Sequence, residues 1–412
     1  MWFSLISQIS NTYPHFALAL NGNGSMTGER LVSLDAARGV GAFSVVLWHW
    51  SHFFDEGVHP AVGEVQTRPF SEVFYWLYSY GWMGVEFFFV LSGFIFFHYY
   101  YALISDRQIG AGEFFKRRFA RLYPLHGLTL LIVIVLQEVY RQQHSSNFVY
   151  PPGTTADLLQ AVTLTSHWWP NQGFFFNGPS WSISVECFLY AVFFVCARFA
   201  GQRYVMAFLA LAAIGLALTF LQWPIGRGLV SFFSGALVAL GLYRLMRSGW
   251  YQRAPHLVLL MALAFGATLL LGLSALPVLA SLLGRAAPAA PRLAEAATGH
   301  LVVFVAFPYL VLLLALIETG RPIRARVLRL LGDCSYSIYL LHFPLQLLTV
   351  ICLDAAGVGR AVFGQPLTFV AWCSLLFGVS ALSHYGFEKP LQRRIRALGG
   401  MIAVRPSPTT VS

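Results

Sequence analysis

Long apolar stretches alternate with short polar segments along most of this chain. A stretch of about 20 apolar residues is long enough for a helix to cross a bilayer. The stretches of this kind cover residues 36–54, 78–101, 120–140, 182–199, 204–221, 225–246, 256–276, 299–318, 333–353 and 364–386. The pattern therefore predicts ten transmembrane helices.

The composition agrees with this pattern. Hydrophobic residues make up 57% of the chain and charged residues 11%, whereas an ordinary soluble domain has about 25% charged residues. No soluble block is longer than the loop over residues 141–180. The predicted fold class is an all-α polytopic membrane protein with about ten helices in one bundle.

The first and last spans divide the chain into three parts. Residues 1–29 are polar in their second half and carry no Lys or Arg before Arg30, unlike a signal peptide. We expect them to form a disordered leader, with Met26 as a second candidate start. Residues 30–392 then form the membrane domain, and residues 393–412 a cytoplasmic tail.

The basic residues predict the orientation. Cytoplasmic loops carry an excess of Lys and Arg, and the ten-helix topology puts 21 of these residues on the side of the termini and 6 on the other. We therefore expect a multi-pass protein of the inner (cytoplasmic) membrane with both termini in the cytoplasm. The net charge of +10 follows from this topology and does not indicate a nucleic-acid partner.

The cysteines indicate neither a disulfide framework nor a zinc site. All of them lie in or beside predicted spans, and none forms a Cys-x-x-Cys pair. They are Cys187, Cys196, Cys334, Cys352 and Cys373. We expect no metal and no bound cofactor.

The first predicted span contains three polar residues that are costly in a membrane. Asp35, Arg38 and His49 lie in an otherwise apolar stretch, and a charge at membrane depth costs about 2.5–3.5 kcal/mol. Arg38 and His49 are eleven residues apart, which is about 16 Å along a helix. One can act near a membrane face while the other acts deeper. The alternative is that Asp35 pairs with Arg38 and that His49 is a structural histidine.

Glu86 lies inside the second predicted span. An acid at this depth needs a cationic partner or a proton. The candidate partners are Arg38, Arg118 and His49.

Four cations stand at the start of the third predicted span. Lys116 and Arg117 are explained as membrane anchors. Arg118 and Arg121 share one helix face, and paired guanidinium groups suit phosphate recognition. Contact with anionic lipid headgroups is the alternative for all four.

The fourth predicted span begins with Trp181 and Ser182, and Glu186 follows one turn later. Glu186 could orient a sugar hydroxyl or a histidine, or it could belong to an imperfect capping box with Ser182. Trp181 could stack on a sugar ring, although tryptophan is common at membrane interfaces.

His342 lies inside the ninth predicted span. A lone buried histidine is more often structural than catalytic, so we rank it below His49. Pro344, two residues later, is expected to loosen the local backbone hydrogen bonding.

Several segments, in this order, resemble acyltransferase family 3, a family of integral membrane acyltransferases. They are Leu34-Asp-Ala-Ala-Arg-Gly39 with His49, Gly84-Val-Glu-Phe-Phe-Phe-Val-Leu-Ser-Gly-Phe94, Arg118-Phe-Ala-Arg121 with Pro124, Trp181-Ser-Ile-Ser-Val-Glu186, Ser335-Tyr-Ser-Ile-Tyr-Leu-Leu-His-Phe-Pro344 and Glu388-Lys-Pro390. One departure is Glu86, which stands where many members have Asp.

The resemblance implies transfer of an acyl group, commonly acetyl, from an acyl-CoA to a hydroxyl of a carbohydrate or related acceptor. It also implies that Arg38 and His49 are essential. Under this reading His49 is the general base, and Glu86 or Glu186 holds its ring. The arginines that would bind the donor phosphates are Arg38, Arg118 and Arg121.

The other residues singled out above are assigned structural or secondary roles. They are Asp35, Trp181, Ser182, Tyr336, His342 and Glu388. The expected partners are acyl-CoA (acetyl-CoA), a carbohydrate or glycolipid acceptor and the lipid bilayer. The alternative function is a proton-coupled transporter or flippase of lipid-linked sugars, for which the buried charges would carry protons.

Overall fold

A computed structural model describes residues 19–20, 26–27, 31–55, 65–248, 291–320 and 325–397, with isolated residues between 260 and 285. The α-helices in these ranges are α1 (Val32–Trp48), α2 (Ser71–Tyr80), α3 (Gly84–Ser105), α4 (Ala111–Gln143), α5 (Thr155–Thr163), α6 (Trp181–Phe199), α7 (Tyr204–Phe220), α8 (Pro224–Arg247), α9 (Pro291–Gly320), α10 (Arg326–Ala355), α11 (Pro366–Leu382) and α12 (Lys389–Ala397). Two short strands, β1 (Ala19–Leu20) and β2 (Met26–Thr27), pair antiparallel with Ala19 opposite Thr27.

Short segments of other helix types extend or join these helices. The 3₁₀ segments are His49–Phe54, Val65–Thr67, Gly81–Met83, Gly178–Ser180, Gly201–Arg203 and Arg360–Gly364, and a π-helix covers Ser383–Glu388. The first 3₁₀ segment continues α1, and the π-helix joins α11 to α12. Such π segments often occur at functional sites.

Within the described residues, seven helical segments are long and apolar enough to span a membrane. They are Ser71–Ser105, Ala111–Gln143, Gly178–Phe199, Gly201–Phe220, Pro224–Met246, Arg326–Ala355 and Pro366–Ala397. Each coincides with one of the ten predicted spans. The prediction of an all-α polytopic membrane protein is confirmed.

The other three predicted spans differ from these seven. The span predicted over 36–54 is an α-helix of 17 residues, Val32–Trp48, continued by a 3₁₀ segment. The span predicted over 299–318 falls in α9, whose described apolar part is Val303–Glu318. The span predicted over 256–276 lies outside the described residues, apart from isolated positions.

Helices α1 and α10 pack closely because small residues stand at their contact. A Cβ atom on Gly39 would lie 2.8 Å from the Cβ of Leu331, and one on Gly332 would lie 2.5 Å from the Cβ of Asp35. Small residues of this kind let membrane helices approach each other. The two helices run parallel, so the end of α1 that carries His49 meets the middle of α10.

Helices α3 and α8 are equally close. A Cβ atom on Gly93 would overlap the carbonyl of Phe232, and one on Gly235 would overlap the carbonyl of Val90. Packing between helices therefore accounts for these two glycines. The contact also brings polar residues on the first turns of α3 and α8 together.

Helix α10 continues through Pro344, and the effect expected from this proline is present. Proline has no N–H to donate to the carbonyl four residues earlier, which belongs to Leu340. The side-chain amide of Asn177 donates to that carbonyl at 3.3 Å. This bond ties the segment before α6 to the centre of α10.

Candidate active site

A cavity of about 430 Å³ opens among α1, α3, α4, α6 and α10. Its volume lies in the range of about 300–1,000 Å³ that is usual for ligand sites. Seven residues singled out from the sequence line it, namely Asp35, Arg38, Arg118, Arg121, Ser182, Glu186 and Tyr336. The cavity runs from the start of α1 to the first turns of α3 and α6, and its arginines come from two helices.

Arg38 and Asp35 form an ion pair on the wall of this cavity. Arg38 Nη1 lies 3.2 Å from Asp35 Oδ1, and both side chains are largely buried. The pairing expected at three-residue spacing is therefore present. Arg38 still lines the cavity while it is paired, and so does Asp35.

The two arginines of α4 have different surroundings. Arg118 donates a hydrogen bond to the hydroxyl of Tyr100, and its guanidinium lies 5.0 Å from the ring centre of Phe96. The guanidinium of Arg121 lies 5.8 Å from the ring centre of Tyr336 and donates no hydrogen bond among the residues that the structure describes. Arg121 thus keeps its donors available to a ligand in the cavity.

Glu186 faces the same cavity from α6. Its Oε1 accepts hydrogen bonds from Ser92 Oγ at 2.9 Å and from the hydroxyl of Tyr190. The carboxylate is therefore fixed by two hydroxyl groups. Within the described part of the chain it is not bonded to a histidine ring.

Glu86 pairs with Arg227, a residue that was not among the three candidates named from the sequence. Glu86 is completely buried, and Nε of Arg227 on α8 donates to its Oε1 at 2.5 Å. The Arg227 guanidinium lies 5.3 Å from the ring of Trp82 and 5.0 Å from that of Trp181. The close contact of α3 with α8 creates this pair, so a reading of single segments could not identify it.

His49 is held by a second histidine rather than by a carboxylate. Its Nδ1 lies 3.0 Å from Nε2 of His342, and the two rings stack with centres 5.0 Å apart. The predicted orientation of His49 by Glu86 or Glu186 is wrong, because both carboxylates bond elsewhere. His342, ranked below His49 from the sequence, is its direct partner.

The hydrogen-bond partners assign the tautomers of this pair. His342 Nδ1 lies 2.6 Å from the carbonyl oxygen of Tyr339, and a carbonyl can only accept, so Nδ1 carries the proton. In the neutral ring, Nε2 of His342 is then an acceptor and takes the Nδ1 proton of His49. Nε2 of His49 then carries a lone pair and has no hydrogen-bond partner among the residues that the structure describes, which is the state a general base requires.

Two further residues hold the backbone and ring of His49, and the sequence analysis missed both. Gln346 donates from Nε2 to the His49 carbonyl at 2.9 Å, and its Oε1 lies 3.2 Å from Nδ1 of His52. The ring of His52 lies 4.6 Å from that of His49. Spacing was the available signal, since His52 follows His49 by three residues and Gln346 follows His342 by four.

Tyr339 connects the cavity to the histidine pair. It lines the cavity, its carbonyl bonds to His342, and its hydroxyl donates to the carbonyl of Pro179 at 2.7 Å. Ser182 Oγ lies 2.8 Å from the same hydroxyl. Tyr339 is therefore the cavity-lining residue whose backbone contacts the histidine pair, while His49 and His342 are not among the residues that line the cavity.

Two of the secondary residues, Tyr336 and Glu388, connect the helices around the cavity. Tyr336 donates from its hydroxyl to the carbonyl of Leu122 at 2.5 Å. Glu388 is buried and accepts hydrogen bonds from Ser337 and, at 3.1 Å, from Ser383. These contacts connect α4, α10 and the π-helix. Among the described residues no group of three His, Cys, Asp or Glu side chains could hold a metal ion.

The sequence of this helical bundle also matches a known protein family. The family model described as "Acyltransferase domain" matches residues 31–385. The chain belongs to this family, acyltransferase family 3, and is a membrane acyltransferase by its family and fold.

Two curated proteins are similar to parts of the chain. "Protein 2 in picA locus" of Rhizobium radiobacter is 29% identical over 202 residues, which cover 46% of this chain and 93% of that protein. "Acyltransferase MdmB" of Streptomyces mycarofaciens is 31% identical over 170 residues, which cover 40% of this chain and 38% of that protein. No solved structure matches the chain.

The pair of Glu86 and Arg227 generates a stability prediction. Breaking a buried ion pair by removing one partner costs about 3–5 kcal/mol, because the other charge stays buried and uncompensated. We expect Arg227→Met to lower the melting temperature in detergent strongly. Adding Glu86→Gln to this variant should restore most of the loss, as measured by thermal unfolding. A double variant no more stable than Arg227→Met would contradict this assignment.

Proposed function

We propose that the protein is an O-acyltransferase that moves an acyl group, in our proposal acetyl, from acyl-CoA to a hydroxyl of a carbohydrate or related cell-envelope acceptor. The donor enters from the cytoplasmic side of the inner membrane, with both termini in the cytoplasm. One observation carries the proposal: a single helix, α1, lines an arginine-rich cavity at one end and presents a histidine with a free Nε2 at the other.

The charges of the cavity support the donor side of the proposal. Coenzyme A carries phosphates, and guanidinium groups recognise phosphate by paired hydrogen bonds. The guanidinium of Arg121 has N–H donors available for a phosphate. Arg118 is oriented by its hydrogen bond to Tyr100, and Arg38 by its ion pair with Asp35. With the phosphates on these arginines, the pantetheine arm extends along the cavity toward Tyr339.

The position of His49 supports the acceptor side of the proposal. This residue begins the 3₁₀ segment His49–Phe54, about 16 Å along the helix from Arg38. An acceptor hydroxyl presented from the outer side of the membrane would meet His49 Nε2 first. The donor and acceptor would therefore approach the reaction centre from opposite ends.

The chemical step moves one proton and exchanges one bond. His49 Nε2 takes the proton of the acceptor hydroxyl while its oxygen attacks the thioester carbonyl carbon. The tetrahedral intermediate collapses with cleavage of the C–S bond, and the thiolate of coenzyme A receives the proton from His49. The products are the acyl ester and free coenzyme A, and His49 returns to its starting state.

The first functional prediction separates donor binding from chemistry. We expect Arg121→Ala to weaken acetyl-CoA binding about 10- to 100-fold, since hydrogen bonds to charged groups contribute about 1.5–3 kcal/mol. We expect His49→Ala to bind acetyl-CoA normally and to lose about 10²- to 10⁴-fold in turnover. Calorimetric titration and acetyl-CoA hydrolysis, with water as acceptor, measure the two effects in the same detergent.

The control for Arg121→Ala is Arg141→Ala at the other end of α4. Arg141 pairs with Glu138, and both side chains are about half exposed, so this variant should bind the donor as the wild type does. Folded wild-type protein that binds no acetyl-CoA would contradict the proposed function and favour the transporter.

The second functional prediction concerns the tautomer of His49. His342→Leu removes the acceptor that fixes the Nδ1 proton of His49, so we expect turnover to fall by about 10²-fold with donor affinity unchanged. His342→Gln can still present an oxygen near the former Nε2 position and should retain more activity than the leucine variant. Equal loss in both variants, measured by acetyl-CoA hydrolysis, would contradict the orienting role.

A further inference from the structure

Glu318 is a buried carboxylate that the proposed reaction does not use. It lies two residues before the end of α9, and its residue surface is 5% exposed. The C-terminal end of a helix carries partial negative charge and disfavours an acid. A buried acid at this position therefore requires a compensating partner outside its own helix.

That partner is the first turn of α1. The backbone N–H of Val32 donates to Glu318 Oε1 at 2.7 Å, and that of Ser33 donates to Oε2 at 2.8 Å. Ser33 Oγ donates to Oε2 at 2.5 Å. The N-cap residue of α1, Leu31, has no side chain that could accept these hydrogen bonds.

The first N–H groups of any helix lack partners within that helix, and a Ser, Thr, Asp or Asn at the N-cap usually accepts from them. Here a carboxylate from α9, far away in sequence, does so. The N-terminus of α1 also carries partial positive charge, which stabilises the carboxylate in return.

The position of this cap matters because α1 is held differently at its two ends. At the far end, His342 and Gln346 bind the ring and backbone of His49. At the near end, Asp35 and Arg38 follow the capped turn directly and line the cavity. The same turns also pack on α10 at Asp35 and Gly39. A change in the cap would therefore loosen the first turn of α1, next to Arg38, while the far end with His49 stays bound to α10.

We propose that Glu318 is a positioning residue for the donor site: by capping α1 from α9, it holds the first turns of α1 so that Arg38 faces the donor. This proposal rests on the proposed function, because it assigns the cavity to acyl-CoA. It extends that function by placing an essential contact outside the cavity.

The test begins with Glu318→Gln. The amide keeps one acceptor oxygen and places an NH₂ group against a backbone N–H. The free energy lost with an N-cap corresponds to about a fivefold change in an equilibrium constant. We therefore expect the KM for acetyl-CoA to rise about fivefold. The kcat of hydrolysis and its pH profile should stay as in the wild type.

A role in overall stability alone would give the opposite pattern, a lower kcat at unchanged KM, and would overturn the proposal. If Glu318→Gln does not fold, Glu318→Asp is the second variant, because it keeps the carboxylate and should fold. Its shorter side chain weakens the cap without removing it, so its KM for acetyl-CoA should rise less than about fivefold. The control is Glu138→Gln, the same substitution at an exposed position near the end of α4, which should leave both constants unchanged.

The decisive variant restores the cap from within α1. Leu31 already has the extended backbone of an N-cap residue, so Leu31→Ser provides a local acceptor for the first N–H groups. Added to Glu318→Gln, it should return the KM for acetyl-CoA to that of Leu31→Ser alone. A double variant with the same raised KM as Glu318→Gln would overturn the proposal.

Amide hydrogen exchange over residues 31–38 tests the cap without any substrate. Exchange should be faster in Glu318→Gln than in the wild type and slow again in the double variant. Unchanged exchange would overturn the cap itself, even if acetyl-CoA is the donor. Conversely, altered exchange in a protein that binds no acetyl-CoA would overturn the proposed function and the donor-site role while leaving the cap in place.

Discussion

The close parallel packing of α1 against α10 is the contact on which the rest of the site depends. Lipid tails are as apolar as the helices, so no hydrophobic force drives the two together, and close approach at small residues takes its place. Gly39 and Gly332 provide that approach. Because α1 carries both Arg38 and His49, its register against α10 fixes where the arginine-lined cavity and the histidine pair lie relative to each other.

The second constraint is the cost of charge in a membrane, which the protein meets by pairing. Glu86 pairs with Arg227, and Glu318 accepts from the first turn of α1. Glu186 accepts from two hydroxyl groups. Arg121 differs, since it lines the cavity with its donors available. Charges held by structural partners thus surround a cavity that Arg38, Arg118 and Arg121 line.

Local patterns in the sequence predicted most of the spanning helices and part of the candidate site. Apolar length predicted seven spans that the structure describes as spanning helices, and the spacing of Arg118 and Arg121 placed them on one face of α4, where both line the cavity. Contacts between distant segments were beyond such patterns. Glu86 meets Arg227 across 141 residues, His342 meets His49 across 293, and Glu318 caps α1 across 286. Each of these contacts depends on which helices lie side by side. The periodicity of a single segment carries no information on that.

The most direct test of the central claim is a cryo-electron microscopy structure of the protein bound to a non-hydrolysable acetyl-CoA analogue. We expect phosphate density within hydrogen-bond distance of Arg118 and Arg121, with the acyl end of the analogue against Tyr339 on the side of the histidine pair. Phosphates bound outside this cavity, or an acyl end pointing away from Tyr339, would contradict it.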